Sequence, residues 1–210
     1  MKVLHRFVGL VLMIPFCLQS SGCYMSKGLV PPTQDFIQLA GAQQSLPASA
    51  QLSINLTHSF EDQVNEAGWA QDARIQEATE ASLKIFKEAH LFRSVGYDET
   101  NPNLKIKLDI KEVEKGSSES AFLAGFTLFL WPVKTGLDID VTAKVSDSQG
   151  NLLQEYHSKG DANVIMHLIF IIPFGWRFGV FRQVYEEVFK DIALQISQDR
   201  EKYAVIFGTP

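Results

Sequence analysis

Asp138 and Asp140 lie two residues apart on one face of an alternating stretch. In that placement one could act as general acid and the other as base, or both could hold a cation. Acids that alternate along a solvated strand face need neither role. The five histidines, His5, His58, His90, His157 and His167, are scattered. His58 falls on the apolar side of its segment, where a histidine satisfied by one hydrogen bond needs no catalytic task. The run GSSES at 116–120 reads as a loop and not as a serine nucleophile site. There is no nucleophile-elbow pattern, phosphate-cradling glycine loop, H-E-x-x-H or cysteine pair. The expectation is a chain with no catalytic residues, no metal site and no cofactor. The clearest chemistry belongs to one thiol, Cys23.

Residues 1–22 carry Lys2 and Arg6 at the front, an uncharged core from Phe7 to Leu18, and the small residues Ser20, Ser21 and Gly22 at the end. This is the three-part layout of a secretory signal, with a core too short to be a stable membrane span. With Cys23 placed directly behind the small residues, the segment resembles the lipobox of bacterial lipoproteins. That resemblance implies cleavage between Gly22 and Cys23, diacylation of the Cys23 thiol, and often a further palmitate-type chain on the new amino group. Ser20 stands where the motif usually has Leu, with Leu18 two places further back. Two or three long chains hold permanently, because each buried methylene contributes roughly 0.8 kcal/mol. Lipoproteins kept at the inner membrane commonly have Asp after the cysteine, and this chain has Tyr24. The resemblance therefore implies the outer membrane, periplasmic side, in an organism with two membranes. An ordinary secretory signal that leaves Cys23 as a free thiol, or a retained helical anchor, are the other readings.

Removing residues 1–22 leaves 188 of 210, enough for one domain with a core of its own. Lys2 and Arg6 leave with the signal, so 17 basic residues face 24 acidic ones and the formal charge goes from −5 to −7. Nucleic acid is not an expected partner, since phosphate binding needs a basic footprint. Of the two cysteines, Cys17 lies in the signal and Cys23 would carry lipid, so stability must come from packing alone. The sequon Asn55, Leu56, Thr57 matters only in a eukaryotic secretory route.

Residues 24–50 are rich in Pro, Gln, Ser and Ala without an apolar period, which reads as a flexible tether spanning about 30 Å. From 51 to 60, Leu52, Ile54, Leu56, His58 and Phe60 alternate with polar residues, a half-buried strand. From Gln71 to His90, Ile75, Ala78, Ser82, Ile85, Phe86 and Ala89 recur at helical spacing. LFRSVGYDETNPN is a short turn or strand and then a polar loop. Leu104, Ile106, Leu108 and Ile110 mark a second strand, and Leu137, Ile139, Val141, Ala143 and Val145 a third. The turn Asp147 to Gly150 joins the third to a fourth, NLLQEYHSKG, as an antiparallel hairpin. Phe181, Val184, Tyr185, Val188, Phe189, Ile192 and Ile196 form the stripe of a last helix.

The expected fold is an α/β (α+β) two-layer sandwich over residues 51–203. Its four-stranded, mostly antiparallel sheet carries two long helices on one face, in the order β-α-β-β-β-α.

Two segments do not belong to that pattern. Residues 121–133, AFLAGFTLFLWPV, and 164–176, VIMHLIFIIPFGW, contain no charged residue. At 13 residues each they fall short of the roughly 20 that a spanning helix needs. Each ends in a Trp near a Pro and is followed by Lys134 or by Arg177 and Arg182, the pairing that a water-lipid boundary selects. Contact with membrane or a partner would fall on Thr127, Leu128, Phe129, Leu130 and Trp131 in the first, and on Phe170, Ile171, Ile172, Phe174 and Trp176 in the second. Ordinary core, or an interface with a second protein, are the alternatives.

A lipobox cysteine, a polar tether and this order of elements together resemble the small envelope lipoproteins. That group includes the lipopolysaccharide-assembly lipoprotein and the auxiliary lipoproteins of lipid-transport ABC systems. The resemblance implies a non-enzymatic accessory or assembly factor with an envelope protein or lipid as partner. The two apolar insertions depart from it, and a membrane-anchored module for a hydrophobic ligand is the alternative.

Overall fold

A sheet with one covered face requires the alternation seen at 51–60, 104–110 and 137–145, and the computed structural model of the chain contains that sheet. It describes residues 26–28, 45–60, 63–64, 68–116, 133–166 and 179–206. In order these form β1 (Ser26–Gly28), β2 (Leu46–Phe60), β3 (Gln63–Val64), α1 (Gly68–Glu88), β4 (Phe92–Gly96), β5 (Leu104–Gly116), β6 (Val133–Asp147), β7 (Leu152–Met166), α2 (Gly179–Gln198) and α3 (Arg200–Ile206). The chain divides into two units. One comprises Lys27–Gly116, Gly136–Ala162 and Arg177–Pro210 and holds nearly all of the described residues. The other comprises Met1–Ser26, Ser117–Thr135 and Asn163–Trp176, of which only a few strand residues are described.

The strands run β1-β7-β6-β5-β2-β3 across the sheet, with β4 also paired to β2. β2 lies parallel to β5 from Ala50 opposite Leu104 to Phe60 opposite Glu114, and parallel to β4 from Leu46 opposite Phe92 to Gln51 opposite Gly96. β5 and β6 run in opposite directions, since Asp109 meets Lys144 while Lys115 meets Asp138. So do β6 and β7, where Thr142 meets His157 and Asp140 meets Lys159. Their turn is fixed by Asp147, whose Oδ1 accepts from the backbone N–H of Gln149 and of Asn151 at 2.9 Å each. Gly150 takes a φ of 93° there, a conformation that strains any side chain.

Burial follows the alternation. Leu52 and Leu56 of β2, Leu104 to Ile110 of β5, and Leu137 to Val145 of β6 put alternate side chains into the core. Ala78, Ala81, Ile85 and Phe86 of α1 and Val184, Tyr185, Val188, Phe189 and Ile192 of α2 join them. The two helices are tied to each other by Lys84 and Glu186, 2.9 Å apart. On β7 the inner positions are small near α2: a Cβ on Gly160 would stand 2.8 Å from Val188 Cγ2 and 2.9 Å from Val184 Cγ1. Two-layer packing with both long helices over one face is therefore the observed architecture.

Several expectations change in detail. Residues 46–50 are not tether: β2 begins at Leu46, with Leu46, Ala48 and Ala50 buried. Small residues and Pro47 hide that alternation, and the register with β4 shifts between Leu46 and Ser49. Ser26–Gly28 inside the same stretch is β1. The short segment after α1 is a strand, β4. The sheet has seven strands among the described residues, four of them long, and its centre is parallel; only β5-β6-β7 is the expected antiparallel meander. β6 and β7 reach into the apolar runs at Val133 and at 164–166. The domain's last helix, α3, continues to Ile206, past the expected boundary at 203. It is held where the Tyr156 hydroxyl donates to Asp199 at 3.0 Å and meets the Tyr203 hydroxyl at 2.8 Å.

Candidate functional site

Gly22 and Cys23 lie outside the described residues, as do Thr127, Leu128, Phe129, Leu130, Trp131, Phe170, Ile171, Ile172, Phe174 and Trp176. Where the chain leaves for the two apolar segments is nevertheless fixed by the strands. β2 and β5 run one way, β6 the other and β7 back again, so Phe60, Gly116, Gly136 and Ala162 all lie towards one end of the sheet. Between β5 and β6 stand the sixteen residues 117–132, where adjacent antiparallel strands need about 2–5. Between β7 and α2 stand the twelve residues 167–178, where a strand-to-helix connection needs about 2–6. Both charge-free segments thus occupy surplus connections issuing from the same end.

That end also holds a buried ionic cluster. His58 at the C-terminal end of β2 places Nδ1 3.1 Å from Glu112 Oε2 on β5, and Nε2 3.7 Å from Glu114 Oε2. Arg74 reaches Glu114 from α1 at 3.7 Å. Glu112 is 0% exposed and His58 12%. Glu112 Oε1 and Glu77 Oε2 are buried without a hydrogen-bond partner. Burial pushes the Glu77 carboxyl above the usual carboxylate range. Arg74 opposes the shift, Glu112 adds to it, Arg182 opposes it and Glu80 adds to it. Sequence reasoning takes His58 as a satisfied histidine, which it is, and passes over Glu112. A signal for it exists: Glu112 continues the even positions of Leu104 to Ile110, so the strand's own period carries a carboxyl onto the apolar face.

The opposite face of the sheet is polar. Asp138 pairs with Lys115, and Asp140 with Lys159 at 2.6 Å, so these acids face cross-strand lysines and do not form an acid-base couple. Thr142 Oγ1 lies 3.0 Å from His157 Nδ1, and His157 Nε2 lies 3.0 Å from Glu155 Oε1. Hydroxyl, imidazole and carboxylate follow one another as in a nucleophile relay. His157 is 59% exposed on an open strand face, where water competes for every bond and excludes nothing from itself. Among the described residues, no group of three or more His, Cys, Asp or Glu side chains is placed to hold a metal ion. No helix among them is long and apolar enough to cross a membrane.

No family model matches the chain, and no curated protein matches it. Distant likeness exists to solved structures. A Helicobacter pylori protein, assigned provisionally as a homologue of the neuraminyllactose-binding hemagglutinin, is 9% identical over 76% of this chain and 86% of its own, with a TM-score of 0.40. A minor lipoprotein of Acinetobacter baumannii is 15% identical over 73% and 94%, at 0.39. The PelC dodecamer of Paraburkholderia phytofirmans is 11% identical over 81% and 94%, at 0.34. Likeness at this level leaves the function to be argued from this chain's own residues.

Proposed function

We propose that the chain is a non-enzymatic lipoprotein of the bacterial envelope, held in the outer membrane by acylated Cys23, facing the periplasm, and acting as an accessory or assembly factor for an envelope protein or a lipid pathway. In this reading the segments 121–133 and 164–176 make a second contact, with the membrane or with the partner. One observation carries it: both segments are longer than their connections require, both lack charge, and both leave the sheet at one end. Chain that closes a fold is short; chain kept long and apolar at one end serves something outside it.

The test is to export residues 24–210 without lipidation and wash the membranes with high salt. Retention is expected, with release on Leu128→Asp and Ile171→Asp while the far-UV circular dichroism stays unchanged. A soluble monomer that unfolds on either substitution makes the segments core and overturns the second contact. Lipid that copurifies with the released monomer in fixed proportion identifies a hydrophobic-ligand module instead.

A further inference from the structure

We propose that His58, Glu112, Glu114, Arg74 and Glu77 form a proton-operated latch, which holds the C-terminal ends of β2 and β5 to α1 when protonated and loosens them as pH rises. The inference stands whatever Cys23 carries. All five side chains belong to the unit that contains Lys27–Gly116. The parallel register sets His58 directly opposite Glu112 and Phe60 opposite Glu114, so the imidazole and both carboxyls stand on the same face, where Arg74 of α1 meets them.

A neutral imidazole has one N–H and one lone pair, and only the imidazolium has two N–H groups to offer. Here both ring nitrogens face carboxylate oxygens, Nδ1 that of Glu112 at 3.1 Å and Nε2 that of Glu114 at 3.7 Å. A neutral ring turns a lone pair towards one of them, so the cation is the form the site fits. Glu112 needs that cation most. It is 0% exposed, its Oε2 meets His58, and its Oε1 has no hydrogen-bond partner among the described residues, so solvent does not take over when the proton leaves. Glu77 holds a second proton. Its Oε2 is likewise buried without a hydrogen-bond partner among the described residues. Burial raises its carboxyl, with Arg74 opposing, Glu112 adding, Arg182 of α2 opposing and Glu80 of α1 adding. With both protons bound, His58 and Arg74 balance Glu112 and Glu114. With both lost to water, Arg74 alone faces three carboxylates, one of them fully buried.

The other end of the sheet is held by groups that keep their protons or their charge across the range in which an imidazole titrates, about pH 5–8. Lys202 holds the Asp199 carboxyl below the usual range, and burial pushes the Tyr156 and Tyr203 hydroxyls up. The latch therefore acts on one end alone. Glu114 stands two residues before Gly116, where β5 ends and the connection that carries the first charge-free segment begins.

The test is hydrogen exchange of the full chain at about pH 5.5 and pH 8, read as protection factors so that the intrinsic effect of pH on exchange cancels. Protection of Leu56–Ser59 and of Ile110–Glu114 should fall at least about fivefold between the two, and that of Ile192–Ser197 by less than about twofold. His58→Gln keeps a donor without the charge and should already lack the extra protection at the lower pH. Glu77→Gln with Glu112→Gln removes the need for both protons and should bring the fall below about twofold, which keeps the test decisive where His58→Gln does not fold. Protection at the cluster that does not change with pH in the parent, a fall of equal size at both ends, or a fall undiminished in the double variant overturns the latch.

Discussion

Gly160→Ala probes how closely α2 sits on β7. The added Cβ would stand 2.8 Å from Val188 Cγ2 and 2.9 Å from Val184 Cγ1, where carbon atoms prefer about 3.5–4.0 Å. Both neighbours are β-branched and hold one χ1 rotamer in a helix, so neither swings aside freely. The helix has to rise by several tenths of an ångström, or two valines have to leave their rotamers. Overpacking of this kind costs about 1–3 kcal/mol, set against the roughly 0.5–1 kcal/mol that a strand interior gains from replacing glycine by alanine. For a chain of this length that lowers the melting temperature by about 2–4 °C per kcal/mol. The assay is a double-mutant cycle by urea unfolding, with Val188→Ala as partner. Val188→Ala alone removes two buried methyl groups and costs roughly 1.5–3 kcal/mol. In the double variant the new methyl occupies the vacated space, so the two losses should fall short of additive by at least about 1 kcal/mol. Additive losses, or Gly160→Ala indistinguishable from the parent, would refute the close approach and with it the placement of α2 over β7.

The buried cluster gives two further expectations. Glu77→Gln should raise stability at pH 7: burial lifts the folded carboxyl above its usual value near 4.5, so the folded state binds the proton more tightly. Stability from that proton is complete below 4.5 and lost as pH rises through the folded value, so the variant's advantage should close as thermal melts are taken down to pH 4. An advantage that persists there would sink the assignment. His58→Ala leaves the Glu112 carboxyl buried without its partner and should cost about 1.5–3 kcal/mol, whereas His58→Ala with Glu112→Leu should cost less than the single change. A double variant no better than the single one speaks against the pair. On the helix surfaces, Glu186 is pushed up by burial, but Lys84 and Arg182 hold it below its usual 4.5 on balance. A depressed carboxyl stabilises above 4.5 and loses that contribution as pH falls through the folded value, so Glu186→Gln should unfold more easily than the parent at pH 6 and converge with it in acid; parallel curves would count against the helix-to-helix pair.

The alternation of Leu104 to Ile110 and of Leu137 to Val145 is enough to place two strands, because one covered face leaves a period of two that nothing else produces. The stripe from Ala78 to Ala89 is enough for α1 for the same reason at a period of 3.6. Leu46 to Ala50 is illegible because its inward residues after Leu46 are alanines and its register is broken next to Pro47. The parallel centre is half legible. A helix between two strands calls for a crossover, and β2-α1-β4 is one, but which side of β2 receives β5 depends on partners far away in the chain. The cluster at His58 and Glu112 needs only the strand period carried two residues past the last apolar position, a step that hydrophobicity itself discourages. For the apolar runs, periodicity has no power: a charge-free stretch of this length reads equally as core strand, buried helix or contact. What separates these meanings is where the stretch attaches. Two such stretches, one between β5 and β6 and one between β7 and α2, both attach at one end of the sheet, a fact of connectivity that hydropathy does not record.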